Sequence, residues 1–178
     1  GTLGPPAAYT VGNWPNDLAA KDFNGDGYPD LAVANARDNA VRVLYGTSGG
    51  TFSVGPSYVT GTYSGAPAAG DFNGDGRMDL AVGEPSRALV AAGSGQTSAL
   101  NQSGSLAVFL DVSHSADGSR TRVLTQADAK VAGRLEFDGF GTLPATPDFD
   151  LNGDRLSDLV VGAAGADVVT TALVPQGG

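Results

Sequence analysis

The chain contains no cysteine, one histidine, one tryptophan, one methionine and only two lysines in 178 residues. Without cysteine there can be no disulfide framework, thiol nucleophile or thiolate metal site. The missing disulfides do not decide the compartment, because a domain of this length does not need them. The single histidine leaves one candidate for imidazole catalysis. That residue, His114, lies in the polar stretch Ser113–Ser119 and reads as a solvated loop histidine. No Gly-x-Ser-x-Gly elbow is present, and every glycine-rich segment is either an acidic loop or a hairpin turn, not a phosphate cradle. Glu84, Glu136 and Asp138 could act as a carboxylate pair only if the fold brought them together. Catalysis by this segment is therefore not expected. No apolar run reaches the roughly 18 to 20 residues of a membrane span. Positive charge is scarce and the formal net charge is −9, which argues against nucleic acid and anionic membranes as partners. The chain starts at Gly1 without Met or a signal peptide, as expected of a processed form or an excised fragment.

What the chain does have is acidity concentrated in three copies of one loop. They are Asp22-Phe-Asn-Gly-Asp-Gly-Tyr-Pro-Asp30, Asp71-Phe-Asn-Gly-Asp-Gly-Arg-Met-Asp79 and Asp150-Leu-Asn-Gly-Asp-Arg-Leu-Ser-Asp158. Positions 1, 3, 5 and 9 are always carboxylates or amides, and position 4 is always Gly. Oxygen at every second residue of a tight turn, with several carboxylates, is the donor set of a hard cation such as Ca²⁺. Nine of the nineteen acidic residues lie in these loops and would repel one another without a cation. Three Ca²⁺ would bring the formal charge from −9 to −3. Asx turns without metal are the simpler alternative, but three copies with four oxygen side chains each favour the ion. An EF-hand would need Glu at position 12 and flanking helices. Here position 12 is Val33 or Val82, and the flanks are strand-like.

Each loop runs into a short apolar segment: Leu31–Ala34, Leu80–Val82 and Leu159–Val161. The loops repeat at 49 residues (22 to 71) and then 79 (71 to 150), and the first interval suits a four-stranded propeller blade. Residues 86–105, rich in Ala, Gly, Ser and Gln, read as an insertion that explains the second. In the first repeat the pattern predicts strands at Leu31–Ala34, Ala40–Tyr45, Thr51–Val54 and Ser57–Thr60, and Ala8–Val11 at the N-terminus could supply one outer strand to the third repeat and so close a ring. A last strand is expected at Val168–Val174. The fold class is all-β: about three four-stranded blades forming an incomplete β-propeller ring as a single chain. Approximate repeats are 1–62, 63–135 and 136–178. Propellers need about four to eight blades, so the expectation is a longer parent chain or assembly of copies.

With these residues in hand, the chain resembles the FG-GAP/VCBS repeat family, the calcium-loop blades also found in the integrin α-subunit propeller. Val41–Phe52 resembles the inter-loop strand pair. Phe140-Gly141 and Val161-Gly-Ala-Ala164 resemble the namesake elements, and Gly83-Glu-Pro85 stands at the second of them in repeat two. The resemblance implies up to three Ca²⁺ held by side chains at positions 1, 3, 5 and 9 and by the main-chain carbonyl at position 7. Site one is then Asp22, Asn24, Asp26, Tyr28 and Asp30. Site two is Asp71, Asn73, Asp75, Arg77 and Asp79, and site three is Asp150, Asn152, Asp154, Leu156 and Asp158. Arg155 replaces Gly at position 6 of the third loop and puts a positive charge beside the cation, so that site is expected to bind more weakly.

The expected function is a calcium-stabilised, non-catalytic extracellular or cell-surface module for binding or adhesion, with a carbohydrate or protein partner. Two alternatives stand beside it: a structural subunit of an assembly built through blade edges, and an accessory domain of a secreted polysaccharide-active enzyme. Trp14 is the candidate ligand-binding residue, as a platform for a sugar ring; packing between blades is the commoner use of such a residue. Tyr9, Tyr58 and Tyr63 carry the same two readings. Asn101-Gln-Ser103 matches the N-glycosylation pattern.

Overall fold

The computed structural model describes residues 5–84, 89–90, 99–100, 104–113, 121–124, 140–143, 153, 157–163 and 171–173. Among them there is no helix; all regular structure is antiparallel sheet. The first sheet contains β1 (Pro15–Lys21), β2 (Asp30–Asn35), β3 (Ala40–Gly46) and β4 (Phe52–Val59), hydrogen-bonded in that order. The second contains β5 (Pro67–Gly70), β6 (Asp79–Glu84), β9 (Ser105–Phe109) and β10 (Thr121–Leu124) in the same meander. Between β6 and β9 lies a two-stranded hairpin, β7 (Leu89–Val90) with β8 (Ala99–Leu100). The third sheet has three described strands: β11 (Phe140–Thr142), β12 (Leu159–Ala163) and β13 (Thr171–Leu173). Phe140 pairs with Ala163, which brings the two namesake segments of that repeat side by side.

In all three sheets the acidic loop joins the first strand to the second. The expected strands after the loops are present. Three details differ from the sequence reading. The strand ahead of the first loop, β1, is not in the predicted set, because Pro15-Asn16-Asp17 reads as turn chemistry. It nonetheless pairs with β2 from Pro15↔Asn35 to Lys21↔Asp30, with an irregularity at Pro15/Asp17. The segments Thr51–Val54 and Ser57–Thr60 are not two strands but one. Gly55 and Pro56 together oppose Val43 as a bulge, since Arg42 pairs with Ser57 and Leu44 with Val54. A proline is tolerated there because β4 is the sheet's edge. Ala8–Val11 is not a strand; it is held on the first sheet through side chains. Phe52 N–H donates to the Tyr9 hydroxyl (3.1 Å), the two rings meet edge-on at 5.5 Å, and Asn35 Nδ2 donates to the Val11 carbonyl (3.1 Å).

Period-two alternation divides the middle sheet between two cores. Ala69, Leu80, Val82, Ala107 and Phe109 face the first sheet, where Ala32, Ala34, Val41, Val43 and Tyr58 meet them. Ala68, Ala81, Leu106 and Val108 point the other way, onto Phe72, Leu143, Leu159 and Val161. Sheet therefore stacks on sheet in sequence order, each interface built from inward-facing apolar side chains. Fully burying one Leu, Val or Phe contributes roughly 1.5–3 kcal/mol, so these interfaces dominate the stability. Polar contacts fix their register. The Tyr58 hydroxyl donates to the Val112 carbonyl at 2.8 Å, and Tyr45 reaches the Val112 and Ser113 carbonyls at 3.4 and 3.3 Å. The Tyr58 and Phe109 rings lie 5.1 Å apart, tilted by 52°.

Leu80→Ala should cost about 2–5 kcal/mol by opening a cavity between the first two sheets, whereas Tyr58→Phe should cost about 1 kcal/mol. Urea unfolding of both variants checks the ranking; equal losses would mean the sheets do not share this core.

Candidate metal centres

Loops one and two adopt the same hydrogen-bonded turn. In loop one, Gly25 and Asp26 N–H donate to Asp22 Oδ1 at 2.8 and 3.2 Å, and Gly27 N–H donates to Asp22 Oδ2 at 2.8 Å. In loop two, Gly74, Asp75 and Gly76 N–H make the equivalent bonds to Asp71 at 2.7, 3.2 and 2.9 Å. Asn24 Oδ1 accepts from Asp26 N–H (3.0 Å) and Asp26 Oδ1 from Tyr28 N–H (2.9 Å); Asn73 and Asp75 repeat this at 2.9 and 3.0 Å. The glycines at positions 4 and 6 have left-handed backbones, with φ of 75° and 87° in loop one and 77° and 79° in loop two. Gly153 at position 4 of the third loop has φ of 81°. That is the conformation glycine adopts without the steric cost other residues incur.

Position 9 does something the spacing alone did not reveal. Asp30 and Asp79 are fully buried. Asp30 Oδ2 accepts from Phe23 N–H (2.8 Å) and Asn24 N–H (3.3 Å), while Oδ1 accepts from Gly46 N–H (2.7 Å) at the end of β3. Asp79 accepts from Phe72 N–H (3.0 Å) and from Asp111 N–H (2.9 Å), just past β9. The acid thus clasps its loop to the third strand of the same sheet. Asp158 is buried likewise at the start of β12. Asp111 escaped the sequence reading because a single Asp after a strand carries no pattern. It has φ of 56°, accepts from Ser113 Oγ at 2.5 Å and forms an ion pair with Arg77, whose side chain thereby ties loop two to the β9–β10 turn.

Burial raises the pKa of Asp30, although its backbone hydrogen bonds oppose the shift and Asp26 adds like-charge repulsion. Burial pushes Asp79 up to about 6, against the pull of the Asp111 and Phe72 amides and helped by the charges of Asp75 and Asp71. Among the described residues no three Asp, Glu or His side chains converge into a ligand cluster by themselves. A cation would need the Asn24 or Asn73 amide and a main-chain oxygen as well. The residues fit such a group. Carboxylates have about four acceptor sites, so two or three N–H bonds leave lone pairs available, and the all-oxygen donor set is that of a hard cation. When bound, the ion would supply positive charge beside Asp79, whose charge Asp71 and Asp75 oppose. Asp150, Asn152, Asp154 and Leu156 of the third loop lie outside the described residues.

The other candidates separate clearly. Glu84 is buried and accepts from Gly61 N–H and Ser105 Oγ, a structural role. His114, Glu136, Asp138 and Asn101 lie outside the described residues. Tyr58 is core and Tyr9 packs on Phe52, but Tyr63 is exposed. Trp14 is 66% exposed and lies outside the two cores of the described residues.

Comparison with known families agrees with this geometry. An FG-GAP-like repeat matches residues 22–82 and an FG-GAP repeat matches residues 64–109. Residues 22–109 therefore belong to the FG-GAP repeat family. No curated protein matches the chain.

Proton and cation should compete at Asp79. Its folded pKa of about 6 lies above the ordinary 3.8, so between those values the folded state binds more protons than the unfolded one. In EDTA, stability should fall as pH rises through this window, and in Ca²⁺ the fall should be reversed. Melting temperatures at pH 4.5 and 7, with and without Ca²⁺, check this; parallel pH curves in the two conditions would refute it.

Proposed function

We propose that this chain is a calcium-stabilised, non-catalytic module for extracellular binding or adhesion, with its sheets serving as blades of a β-propeller. The observation that carries the reading is the shared hydrogen-bonded turn of loops one and two, in which the buried acid at position 9 lies beside like charges of the same loop that a positive charge would offset. Ca²⁺ at Asp22, Asn24, Asp26, Tyr28 and Asp30, and at the matching residues of loops two and three, supplies that charge. FG-GAP repeats commonly form extracellular adhesion or binding modules and are generally non-catalytic. Extracellular Ca²⁺ is also near the concentration such loops require. No helix among the described residues is long and apolar enough to cross a membrane. Assembly through blade edges receives less support, because the Gly55–Pro56 bulge interrupts the edge of the first sheet.

The metal's role is structural. With a dissociation constant on the order of 0.1 mM, about 1 mM Ca²⁺ adds roughly 1.4 kcal/mol per site. Calorimetric titration should show Ca²⁺ binding accompanied by a rise in melting temperature. Asp22→Ala and Asp71→Ala should each remove one binding event. Identical melting in Ca²⁺ and EDTA would sink the reading.

A further inference from the structure

The first two repeats share a second feature, at the end of the sheet opposite the acidic loops. Trp14 and Tyr63 each lie eight residues before the first Asp of their loop (14 to 22, 63 to 71). Both have φ of 57°, a left-handed backbone that is unusual for a bulky side chain, and both rings are exposed, 66% and 64%. Two residues earlier stand Gly12 and Gly61. A Cβ there would come within 2.8 Å of the Asn35 side chain and 2.6 Å of Glu84, respectively. Asn35 and Glu84 are the last residues of β2 and β6, so each holds the segment that leads to its aromatic residue.

The two aromatics flank one turn, residues 36–39 between β2 and β3. Ala36 N–H donates to the Trp14 carbonyl (3.1 Å). Tyr63 N–H reaches Asn39 Oδ1 (3.4 Å), and Thr60 N–H donates to the Asn39 carbonyl (2.8 Å). Asp38 accepts from Asn13 N–H (2.7 Å) and Asn13 Nδ2 (2.8 Å). These bonds lower its pKa, with help from Arg42, so it remains a carboxylate. Asn13, Trp14, Arg37 and Asp38 line an open groove of about 620 Å³.

From this arrangement we infer that the groove between Trp14 and the 36–39 turn, extended toward Tyr63, binds a short neutral oligosaccharide. The inference rests on the reading of the chain as a binding module and names its ligand class. A flat exposed indole offers its face to the C–H side of a pyranose. Beside it Asp38 accepts, and Arg37 donates, hydrogen bonds to hydroxyl groups. Arg37 and Asp38 side by side leave the groove without net charge of its own, which suits a neutral ligand, and the chain's net charge of −9 disfavours an anionic one. A protein partner fits less well: three of the four lining residues are polar or charged, whereas the centre of a protein interface is depleted of charge.

Trp14 is the only tryptophan, so its fluorescence reports directly on the groove. The whole chain in millimolar Ca²⁺ is titrated with soluble tetrasaccharides of glucose, mannose and galactose, and with polygalacturonate as an anionic control. The expected result is a saturable emission change with at least one neutral tetrasaccharide. By calorimetry, Trp14→Ala should weaken that binding about tenfold or more and Tyr63→Ala less, with unchanged melting temperature. Response to polygalacturonate alone, binding that survives Trp14→Ala, or silence with every tetrasaccharide would overturn the site. If melting still rises with Ca²⁺ in those samples, the calcium-stabilised module stands and only the glycan site falls.

Discussion

The fold depends on a buried carboxylate at the ninth position of each acidic loop. Asp30 and Asp79 lie at the first residue of the second strand of their sheets and hold the loop amides with one oxygen and the end of the third strand with the other. One side chain thus closes the loop, starts the strand and fixes the strand's neighbour. An apolar residue could fill the space but could not accept those N–H groups, and unsatisfied buried donors cost roughly 1–3 kcal/mol each. The acid is needed for its acceptors, and its charge is the liability that follows. That charge is desolvated beside Asp26 in loop one and beside Asp71 and Asp75 in loop two. A cation held there would offset this local repulsion.

The same logic explains why the loops can differ at position 7 and not at position 9. Tyr28 and Arg77 follow the tight part of the turn, and each contributes its backbone N–H to the aspartate at position 5. Their side chains are free to serve elsewhere, and Arg77 does so by pairing with Asp111. Position 9 has no such freedom, because its side chain is the contact.

The loops, their register with the apolar runs and the all-β class were legible in the sequence because each rests on short-range chemistry. Oxygen at alternate positions, glycine where φ is positive and alternating valines are all visible within ten residues. What was not legible depended on distant neighbours. Pro15–Lys21 is not among the expected strands and becomes one because β2 offers it a ladder. Gly55-Pro56 reads as a break and becomes a bulge because β3 continues past it. Trp14 carries two readings in the sequence, a sugar platform or a packing residue; its exposure depends on a left-handed backbone and on a preceding segment that Asn35 holds, neither of which a sequence displays. The periodic spacing of Trp14 and Tyr63 was present in the sequence, but its meaning required their common backbone angle and common exposure.

The two ends of each sheet are coupled through the second strand. β2 carries the acidic-loop residue Asp30 at its first position and Asn35, which holds the Val11–Gly12 segment, at its last. β6 carries Asp79 and Glu84 in the same places, with Glu84 holding Gly61. A six-residue strand spans on the order of 20 Å and is paired on both sides, so it transmits position rather than charge. Screening reduces the direct field of an ion at that distance to little. Calcium at one end would therefore act on the aromatic end through the order of the strand. Its influence there would scale with how much of the sheet the ion stabilises, not with the ionic strength that governs direct electrostatic attraction.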